Sequence, residues 1–481
     1  TGATTDLDGN YRLSVPEEGG TLVFTFIGLA TQELEIGSRS VIDVTMSEDV
    51  ETLSEVVVTA LGISKEKASL GYGVSSVSSD DLQARPEADV GRVLRGKVPG
   101  VDITQTSGIA GTGTNIIIRG YSSISGTNQP LFVIDGVPFN TETNNDRGFT
   151  SGGASASSRF LDLDPNNIAE ISILKGLSAT VLYGEAGRNG VVLVTTKTGR
   201  GSQTLKKGLE VSCTQSYFVN EVAGLPEDQD DYGNGFHNFA SSAFSNWGAP
   251  MNEKHGGPSW ANRNGLVDGT VAHPYDRAAL ADALPQFKDA RWPYKPYDNL
   301  QNFFVKGAQV NTSVGINARI NDNSSISFNY GYLSDEGFVK FNEYKKHNMS
   351  LGAQTKLENG LRINSSFNFI TSEAAKPPVG VSHSSNPTGA SLFSNVLYTP
   401  RSWALYSKDL PWENPVDGSS IHYRSGNDIQ HPVWTLNNTI DKEKIRRFFG
   451  NINLMYEVTD WLSLHYRLGV DTYTQQQYYM I

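Results

Sequence analysis

The residues that could carry out chemistry are few in this 481-residue chain, and they form no catalytic pattern. Asp6, Asp8 and Gly9 are spaced like the start of a calcium loop, but the later ligands of such a loop are absent, which favours a hairpin turn. Three neighbouring carboxylates could form a glycosidase pair, yet no fold signal accompanies them: Asp228, Asp230 and Asp231.

Other reactive or ligand-binding residue types also lack the spacing of a known site. The glycine-rich segments 108–114 and 122–129 have neither the lysine nor the helix start of a phosphate-binding loop. The single cysteine, Cys213, excludes an intrachain disulfide. Six histidines are scattered through predicted loops without zinc-site spacing: His237, His255, His273, His383, His422 and His431. The sequence therefore predicts a protein that is not an enzyme, with no cofactor and no metal site.

Composition narrows the class of protein further. The formal net charge of −12 disfavours nucleic acid as a partner. Aromatic residues make up 10% of the chain and there are 48 glycines, a mixture typical of β-structure with many turns. No apolar run approaches about 18 residues, so no transmembrane helix is predicted. A soluble β-protein would lack this signal, and so would a membrane β-barrel, in which alternate residues face lipid.

The stretch around which these elements are organised runs from residue 165 to 199, PNNIAEISILKGLSATVLYGEAGRNGVVLVTTKTG. Alternating and β-branched residues predict one strand at 168–174 and a second, apolar on both faces, at 191–196. Between them lie a Lys-Gly break, a short helical turn at 178–183 and a cluster of glycines. From the pattern alone, this is a strand–turn–strand unit of an α+β domain.

The same string closely resembles the end of the plug domain of TonB-dependent outer-membrane transporters, in the form found in the SusC-like family. NIIIRG at 115–120 and PLFVIDGVP at 130–138 are similar to other plug strands of that family. Residues 185–188 depart from the family's usual small-residue stretch. The resemblance implies a plug domain over residues 61–199, and its motif positions are Gly120, Asp135, Gly136, Lys175, Gly176, Tyr183, Gly184 and Gly190.

Residues 1–49 alternate between apolar and polar side chains, with turns at 8–9 and 18–20. This pattern predicts a small β-sandwich of about four strands, which would have a poor core by itself. The segment resembles the carboxypeptidase-regulatory-like domain that precedes many SusC-like plugs. The family has one or two strands before this point, so the domain is expected to be truncated.

Residues 50–60, VETLSEVVVTA, form a strand-like run between two predicted domains. One interpretation is a further strand of the sandwich. The other is a TonB box, an extended segment that a periplasmic energy-coupling protein captures by adding it to the edge of a sheet. The run is similar to the family's box except at Ala60, which implies that the box consists of Leu53, Ser54, Glu55, Val56, Val57, Val58 and Thr59.

Residues 200–481 contain seven long alternating runs, at 209–219, 306–321, 324–333, 346–357, 361–371, 444–459 and 461–473. Short and long joins alternate between them, as in an outer-membrane barrel with short periplasmic turns and long outer loops. Seven strands cannot close a barrel, and one wide enough for a plug needs about 22. The predicted fold is therefore mainly β: a β-sandwich remnant, an α+β plug, then the first strands of a large antiparallel barrel. The chain is expected to be about half of a transporter.

Two long outer segments, 220–302 and 372–441, are rich in Trp, Tyr and Pro. Their aromatic residues could stack on sugar rings or anchor a partner, or they could form the loops' own core. The residues concerned are Trp247, Trp260, Trp292, Tyr294 and Trp434.

The resemblance also implies roles for two arginines and a set of partners. Arg119 and Arg188 match positions where family plugs carry arginines that face glutamates of the barrel wall, although both could be exposed turn residues. The implied function is import of a glycan or oligopeptide across a Gram-negative, Bacteroidetes-type outer membrane. Implied partners are TonB, a SusD-like surface lipoprotein and outer-membrane lipids. The rival class is a secreted or surface carbohydrate-binding β-protein.

Overall fold

The structure is a computed structural model. It describes residues 3, 5–6, 9–14, 20–26, 29–37, 39–46, 56–58, 64–66, 74–83, 89–105, 108–124, 127–141, 157–176, 180–197, 208–243, 245–378, 392–424, 429–459 and 461–480. The chain divides into two compact units, one formed by residues 1–59 and 63–71, the other by 60–62 and 72–481.

The first unit contains two antiparallel hairpins. Strand β1 (Thr21–Phe26) pairs with β2 (Leu29–Glu35), and Tyr11 packs edge-on against Phe24 with ring centroids 5.4 Å apart. The Tyr11 hydroxyl donates to the carbonyl of Ile42 at 2.7 Å. Residues 41–46 lie in no strand, so the four-strand sandwich is only partly present in the described residues. The second hairpin joins β3 (Val56–Val58) to β4 (Ser64–Glu66).

The second unit begins with a five-stranded sheet in the order β5-β10-β11-β8-β9, beside a separate β6–β7 hairpin. Its strands are β5 (Val74–Ser78), β6 (Val101–Gln105), β7 (Thr114–Ile118), β8 (Leu131–Ile134), β9 (Val137–Phe139), β10 (Ile168–Leu174) and β11 (Val191–Thr196). Strands β10 and β11 have the predicted bounds. Two short helices, α1 (Ser79–Gln83) and α2 (Val90–Leu94), pack near this sheet, and 3-10 turns occur at Arg159–Asp162, Pro165–Asn167 and Val181–Gly187.

Burial on both faces explains why the two central strands contain few polar residues. Every side chain of Val191–Val194 is buried, as are Ile171 and Ile173 of β10. At α2, a buried carboxylate provides the helix N-cap, because Asp89 accepts from the Gly91 N–H at 2.8 Å. The helix begins at Val90 and ends at Leu94.

The remainder of the chain forms a seven-stranded antiparallel sheet in the order β12-β17-β18-β19-β20-β21-β22, with small elements in its connections. The strands are β12 (Gly208–Asn220), β13 (Gly235–Phe236), β14 (Phe239–Ala240), β15 (Thr270–Ala272), β16 (Arg291–Pro293), β17 (Gly307–Asn321), β18 (Ser324–Glu336), β19 (Glu343–Lys356), β20 (Arg362–Ala375), β21 (Ile440–Thr459) and β22 (Leu462–Met480). All seven predicted runs are strands of this sheet. Its joins alternate between short turns at one end and longer connections at the other; the connection at 337–342 is shorter than expected because β18 and β19 extend beyond the predicted runs.

The two faces of this sheet differ in chemistry. The face toward the five-stranded sheet buries polar side chains such as Asn311, Asn348 and Asn368. The opposite face exposes apolar side chains on every strand. Examples are Ile326 and Phe328 on β18, and Leu464, Tyr466 and Leu468 on β22. We call these the inward and the outward face.

The two longest connections, 221–306 and 376–439, pack together into a lobe with its own apolar core. It contains helices α3 (Glu253–Gly256), α4 (Asn299–Phe303), α5 (Leu392–Leu397) and α6 (Pro432–Asn438), with 3-10 turns at Trp260–Asn262, Ala278–Leu280 and Pro285–Phe287. Trp403 is 1% exposed at its centre and contacts the rings of Tyr275, Trp292 and Tyr423.

Candidate functional site

We call the part of the chain that is built on the five-stranded sheet the central domain. Its residues 157–167 lie against the inward face of the seven-stranded sheet. Their two 3-10 turns are capped by side chains: Ser158 accepts from the Phe160 N–H and Asp164 from the Asn166 N–H. Within the segment, Arg159 donates to Ser157 Oγ at 2.6 Å and lies 3.8 Å from Asp162, and other polar groups contact the sheet. We call this segment, with the inward side chains that contact it, the seam.

A carboxylate on β21 is the centre of the first group of seam contacts. Glu443 accepts from Ser157 Oγ at 2.6 Å and from Arg159 Nη2 at 3.2 Å, both from the central domain. From its own sheet it accepts from Lys376 Nζ at 2.5 Å and from Gln475 Nε2 at 2.9 Å. Arg159, Lys376 and Glu443 are each at most 3% exposed, so these charges satisfy one another away from solvent.

Arg447, four residues after Glu443 on β21, is the centre of the second group of contacts. Arg447 binds Asp471 with two nitrogens, at 2.8 and 2.5 Å, and reaches Asp162 across the seam at 3.0 Å. It also donates to the carbonyl of Asn140 at 2.8 Å, and its guanidinium carbon lies 3.4 Å from the ring centroid of Phe139. A planar, five-donor side chain suits such a set of acceptors. Arg447 therefore joins the central domain to two strands of the sheet.

A lysine and several amides complete the seam. Lys346, 2% exposed, donates from Nζ to the carbonyls of Leu161 and Leu163 at 2.7 and 2.8 Å. Asn167 donates to Ser350 Oγ at 3.0 Å. The contacts thus extend over β19, β20, β21 and β22.

The seam is polar and is not fully hydrogen-bonded. Arg159 Nε, Asp162 Oδ1 and Asp164 Oδ2 are buried and make no hydrogen bond within the described structure. A cavity of about 20 Å³ lies beside Asp164 and Asn348, large enough for one water molecule. Apolar contacts cross the seam as well, because Leu161 packs with Leu333 and Tyr344, and Phe449 joins the apolar core of the five-stranded sheet.

The Asp135-Gly136 motif forms a tight turn between β8 and β9 that also meets the sheet. Both residues have positive φ, 47° and 84°, as in the hairpin turns favoured by an Asp-Gly pair. The Asp135 carboxylate accepts from the N–H and the hydroxyl of Thr196 at 2.9 and 2.7 Å, and burial raises its pKa. A Cβ on Gly136 would lie 1.8 Å from Arg467 Nη1 of β22. The positive φ of Gly136 is the reason for glycine at this position, because the end of the long Arg467 side chain can move away from a Cβ.

The other motif residues stabilise the central domain itself. Lys175 Nζ donates to Ser75 Oγ and to the Pro99 carbonyl, both at 2.6 Å. A Cβ on Gly190 would lie 2.7 Å from Ile118 Cδ1, so this glycine lets β7 approach the start of β11. The remaining positions, Gly120, Gly176, Tyr183 and Gly184, lie at turns or in the 3-10 segment of this domain.

Neither predicted wall-facing arginine contacts the seven-stranded sheet in the described residues, and a contact with barrel-wall glutamates stays a prediction for both. Arg119 is exposed, with φ of 58° at the turn after β7, and its Nη1 lies near Gly176. Arg188 pairs instead with Glu185 at 3.3 Å on an exposed 3-10 turn, three residues away. Arg159 was missed because no local pattern distinguishes it. The charged residues Lys346, Glu443 and Arg447 do leave a signal, since they interrupt strands at inward positions.

The predicted box lies in the first unit. Val56–Val58 are paired with Ser64–Glu66, so this segment is the strand of a short hairpin and not the unpaired strand that the box interpretation expects. In a two-stranded hairpin each strand has one free edge. Leu53, Ser54, Glu55 and Thr59 lie outside the described residues.

The lobe distributes the predicted aromatic residues between its interior and its surface. Trp292 donates to the Ser402 carbonyl at 3.1 Å, and Tyr294 to the Asn234 carbonyl at 2.9 Å; both rings are buried. Trp260 and Trp434 are half-buried, whereas Trp247 is 76% exposed. Trp292 and Tyr294 therefore belong to the lobe's own core, and Trp247 is available for contact.

Charged residues join the two connections that build the lobe. Arg401 pairs with Asp228 and Asp298 at 3.4 and 3.2 Å, and also with Asp230. Asp231 lies 3.1 Å from His255 Nε2. The carboxylates considered for a glycosidase pair thus have structural partners.

Buried histidines are a further feature of the lobe. Burial lowers the pKa of His431 to about 3 and that of His273 to about 4. Burial, with His431, Arg277 and Arg424 nearby, holds the pKa of His422 well below its ordinary value. Across the described ranges, no three His, Cys, Asp or Glu side chains could hold a metal ion. Among the helices the structure describes, none is long and apolar enough to cross a membrane.

Comparison with known proteins assigns families to two parts of the chain. The TonB-dependent Receptor Plug Domain matches residues 66–191, and the CarboxypepD_reg-like domain matches residues 1–58. The receptor SusC of Bacteroides thetaiotaomicron is 26% identical over 481 residues, covering 98% of this chain and 41% of that protein. The chain thus contains a TonB-dependent receptor plug domain and is similar over nearly its whole length to a SusC receptor. TonB-dependent receptor P26 of Formosa agariphila is 29% identical, covering 88% of this chain and 37% of that receptor.

A solved structure shows the same fold. The RagAB peptide importer in its open-open state superposes with a TM-score of 0.62, at 18% identity, over 88% of this chain and 43% of that one. The chain thus spans about two fifths of the length of the proteins it resembles.

Proposed function

We propose that this chain forms the plug and the first wall strands of an importer in a Gram-negative outer membrane, energised through TonB. The relatives are named as receptors, which supports a role without catalysis. The second family match supports an accessory domain ahead of the plug.

The observation that carries the proposal is the reversed polarity of the seven-stranded sheet. In a soluble protein the apolar face of a sheet is buried and the polar face meets water. Here Asn311, Asn348 and Asn368 are buried, whereas Leu464 and Leu468 are 56% and 57% exposed. An apolar, exposed outward face is favourable in contact with lipid, and a polar inward face is favourable in contact with a plug domain.

The seam supplies the gate in this proposal. Seven strands do not close, and a barrel that encloses residues 61–199 needs about 22 strands. Force applied at the box would remodel the plug beside the wall, and the charge pairs of Glu443 and Arg447 are the contacts that must separate. Because these groups are polar, water entering the seam can replace their partners.

Insertion in the membrane separates this proposal from the rival, a secreted carbohydrate-binding β-protein. The full-length protein that carries this chain should fractionate with outer membranes, require detergent for extraction and migrate faster in gels when it is not boiled. A soluble protein with unchanged migration on boiling would refute the barrel.

Energy coupling is tested at Val57. Capture by strand addition uses backbone hydrogen bonds, so Val57→Pro, which removes a donor, should abolish uptake while membrane assembly stays intact. Val57→Ala keeps the N–H and is the matched control. Undiminished uptake by Val57→Pro would contradict the box. The pairing of Val56–Val58 with Ser64–Glu66 implies that TonB either adds to the free edge or displaces β4.

The lobe is the proposed docking site for a SusD-like lipoprotein, with a glycan or oligopeptide enclosed between the two. Its packed core supports this, since an ordered surface loses little entropy on binding. Exposed Trp247 is a candidate anchor. Pull-down of the tagged receptor in mild detergent should recover a stoichiometric lipoprotein, and its absence would favour a solitary transporter closed by its own loops.

A further inference from the structure

A group of basic side chains lies on the outward face, at the end of the sheet that carries the lobe. Lys442, Lys444 and Arg446 alternate along β21 and point outward, because the residues between them are buried on the inward face. Lys345 of β19 stands in the same hydrogen-bonded row as Lys444, with Glu373 of β20 between them. Basic side chains are therefore concentrated within one small area.

The carboxylates nearby only partly neutralise this area. Lys444 pairs with Glu373, and Lys345 pairs with Glu343 at 2.8 Å. Lys442 and Arg446 make no ion pair within 4 Å in the part of the chain that the structure describes. On these three strands, four outward cations thus face two carboxylates, which leaves an excess of positive charge.

The basic area directly borders the apolar part of the outward face. The row containing Arg446 is followed, toward the short turns, by a row containing Met349, Phe369 and Phe448. These three side chains are 49%, 45% and 38% exposed. A molecule that covered both rows would need an anionic head and an apolar tail.

A cleft lies beside the same cations. It has a volume of about 180 Å³, and its lining includes Lys340, Phe341, Pro377 and Lys442, together with one carboxylate, that of Asp441. Phe341 is 52% exposed, has φ of 65°, and lies under Lys340 Nζ at 5.0 Å. The cleft combines cations with apolar walls at the level of the basic area, so it can hold part of a polar headgroup.

We propose that this face binds the phosphorylated headgroup of an outer-leaflet glycolipid, with phosphate held by Lys442, Lys444 and Arg446 and the acyl chains along Met349, Phe369 and Phe448. The proposal rests on the membrane orientation argued above. Guanidinium and ammonium groups make charge-assisted hydrogen bonds to phosphate oxygens, and basic residues beside a membrane-spanning segment recognise anionic lipids. The bound lipid would fix the depth of β19–β21 in the bilayer.

The test uses the full-length receptor, extracted in detergent after fast migration of the unboiled protein has shown that the barrel is present. Binding of bisphosphorylated and dephosphorylated lipid A is measured by native mass spectrometry for the wild type and for the triple variant Lys442→Gln, Lys444→Gln, Arg446→Gln. The matched control removes three cations at the opposite end of the sheet: Arg319→Gln, Lys356→Gln, Arg362→Gln. A single Arg446→Gln variant gives a second measurement if the triple variant does not assemble.

Each basic side chain near an anionic lipid surface contributes about fivefold in affinity, so the triple variant should lose on the order of a hundredfold. The control should bind like the wild type, and dephosphorylated lipid should bind weakly to all forms. Equal binding of both lipids by the wild type, or full binding by the triple variant, would overturn the proposal. Displacement of the lipid by millimolar inorganic phosphate alone would identify a free-phosphate site instead. Loss of fast gel migration in the wild type would count against the barrel, not the lipid site.

Discussion

The seam and the lobe are both buried, yet charged groups are present in quantity only in the seam. The seam combines ion pairs, amides and backbone carbonyls around Glu443 and Arg447 with apolar contacts at Leu161 and Phe449. The lobe consists of packed aromatic and aliphatic residues around Trp403, with histidines kept neutral by burial. In one molecule, burial therefore serves two different purposes.

This difference in composition indicates which of the two regions can separate more easily. Apolar burial gives a large free-energy gain per unit area and holds one shape. A buried ion pair approximately breaks even, because the desolvation penalty offsets the attraction between the charges. In the importer proposed above, the lobe would therefore stay folded as a docking surface, and the ion pairs of the seam would separate when force reaches the plug. Four measurements can break or sharpen this contrast.

The largest effect is expected from Arg447→Met. This change leaves Asp471 without its cation and Asp162 with Arg159 alone, at 3.8 Å, and breaking a buried pair in this way costs about 3–5 kcal/mol. The plug should seat poorly, giving leakage of large antibiotics and faster proteolysis of residues 157–167, with the lobe unchanged. Lys356→Met, an exposed position at the far end of β19, is the control. Wild-type leakage and proteolysis in Arg447→Met would show that the seam does not hold the plug.

Trp403→Ala tests the other region. Removing this fully buried ring leaves a cavity, and such changes cost about 3 kcal/mol or more. Proteolysis should increase within the lobe, and lipoprotein capture should fall, while antibiotic leakage stays at the wild-type level. Trp247→Ala, at an exposed ring, should leave lobe proteolysis unchanged. Leakage in Trp403→Ala would contradict the separation of the two regions.

Much of the fold was predictable because strands leave a local pattern. Alternation of apolar and polar residues identified all seven strands of the large sheet, because one face of each strand is buried. The run at 191–196 is apolar on both faces and identified β11, because both faces of that strand are buried. The Asp135-Gly136 turn carried the usual hairpin signal, although the sequence interpretation treated 130–138 as a single strand. The lobe's small elements were not predicted, since their residues follow neither period.

The seam was not predictable in the same way. Arg447 and Asp162 are brought together only by the docking of the plug, and no spacing along the chain reports that contact. The resemblance pointed to Arg119 and Arg188, whose positions match the family but whose side chains meet Gly176 and Glu185 here. A charged residue at an inward strand position, such as Glu443, is the signal that would have found one side of the seam.

Acid should weaken the lobe more than the seam. The pKa values of His273 and His431 are lowered to about 4 and 3. Below the unfolded pKa of about 6.5, the unfolded lobe takes up protons that the folded lobe cannot, so stability falls as the pH drops from 6.5 toward 4. Each histidine contributes about 1.4 kcal/mol per pH unit in that window.

The measurement is limited proteolysis of the lobe at pH 7 and pH 5. The Asn side chain in His431→Asn can still cap the helix. The loss of lobe stability on acidification should therefore be smaller in this variant, by about the contribution of one histidine. Arg277 and Arg424 near His422 add to the cost of protonating that ring. A lobe equally stable at both pH values would show that these histidines are accessible to protons when folded.

The smallest effect is expected from Arg188→Gln. Like Arg447→Met, this variant removes an arginine of an ion pair, but the pair is exposed. The Arg188 side chain is 46% exposed and its partner Glu185 is 87% exposed, so solvent screens the pair and less than about 1 kcal/mol is at stake. Leakage, proteolysis and uptake should all match the wild type. If Arg188→Gln instead leaked as much as Arg447→Met, Arg188 would have a carboxylate partner in a part of the wall other than β12 and β17–β22. The plug would then be held on two sides, and opening it would require both contacts to separate, not the seam alone.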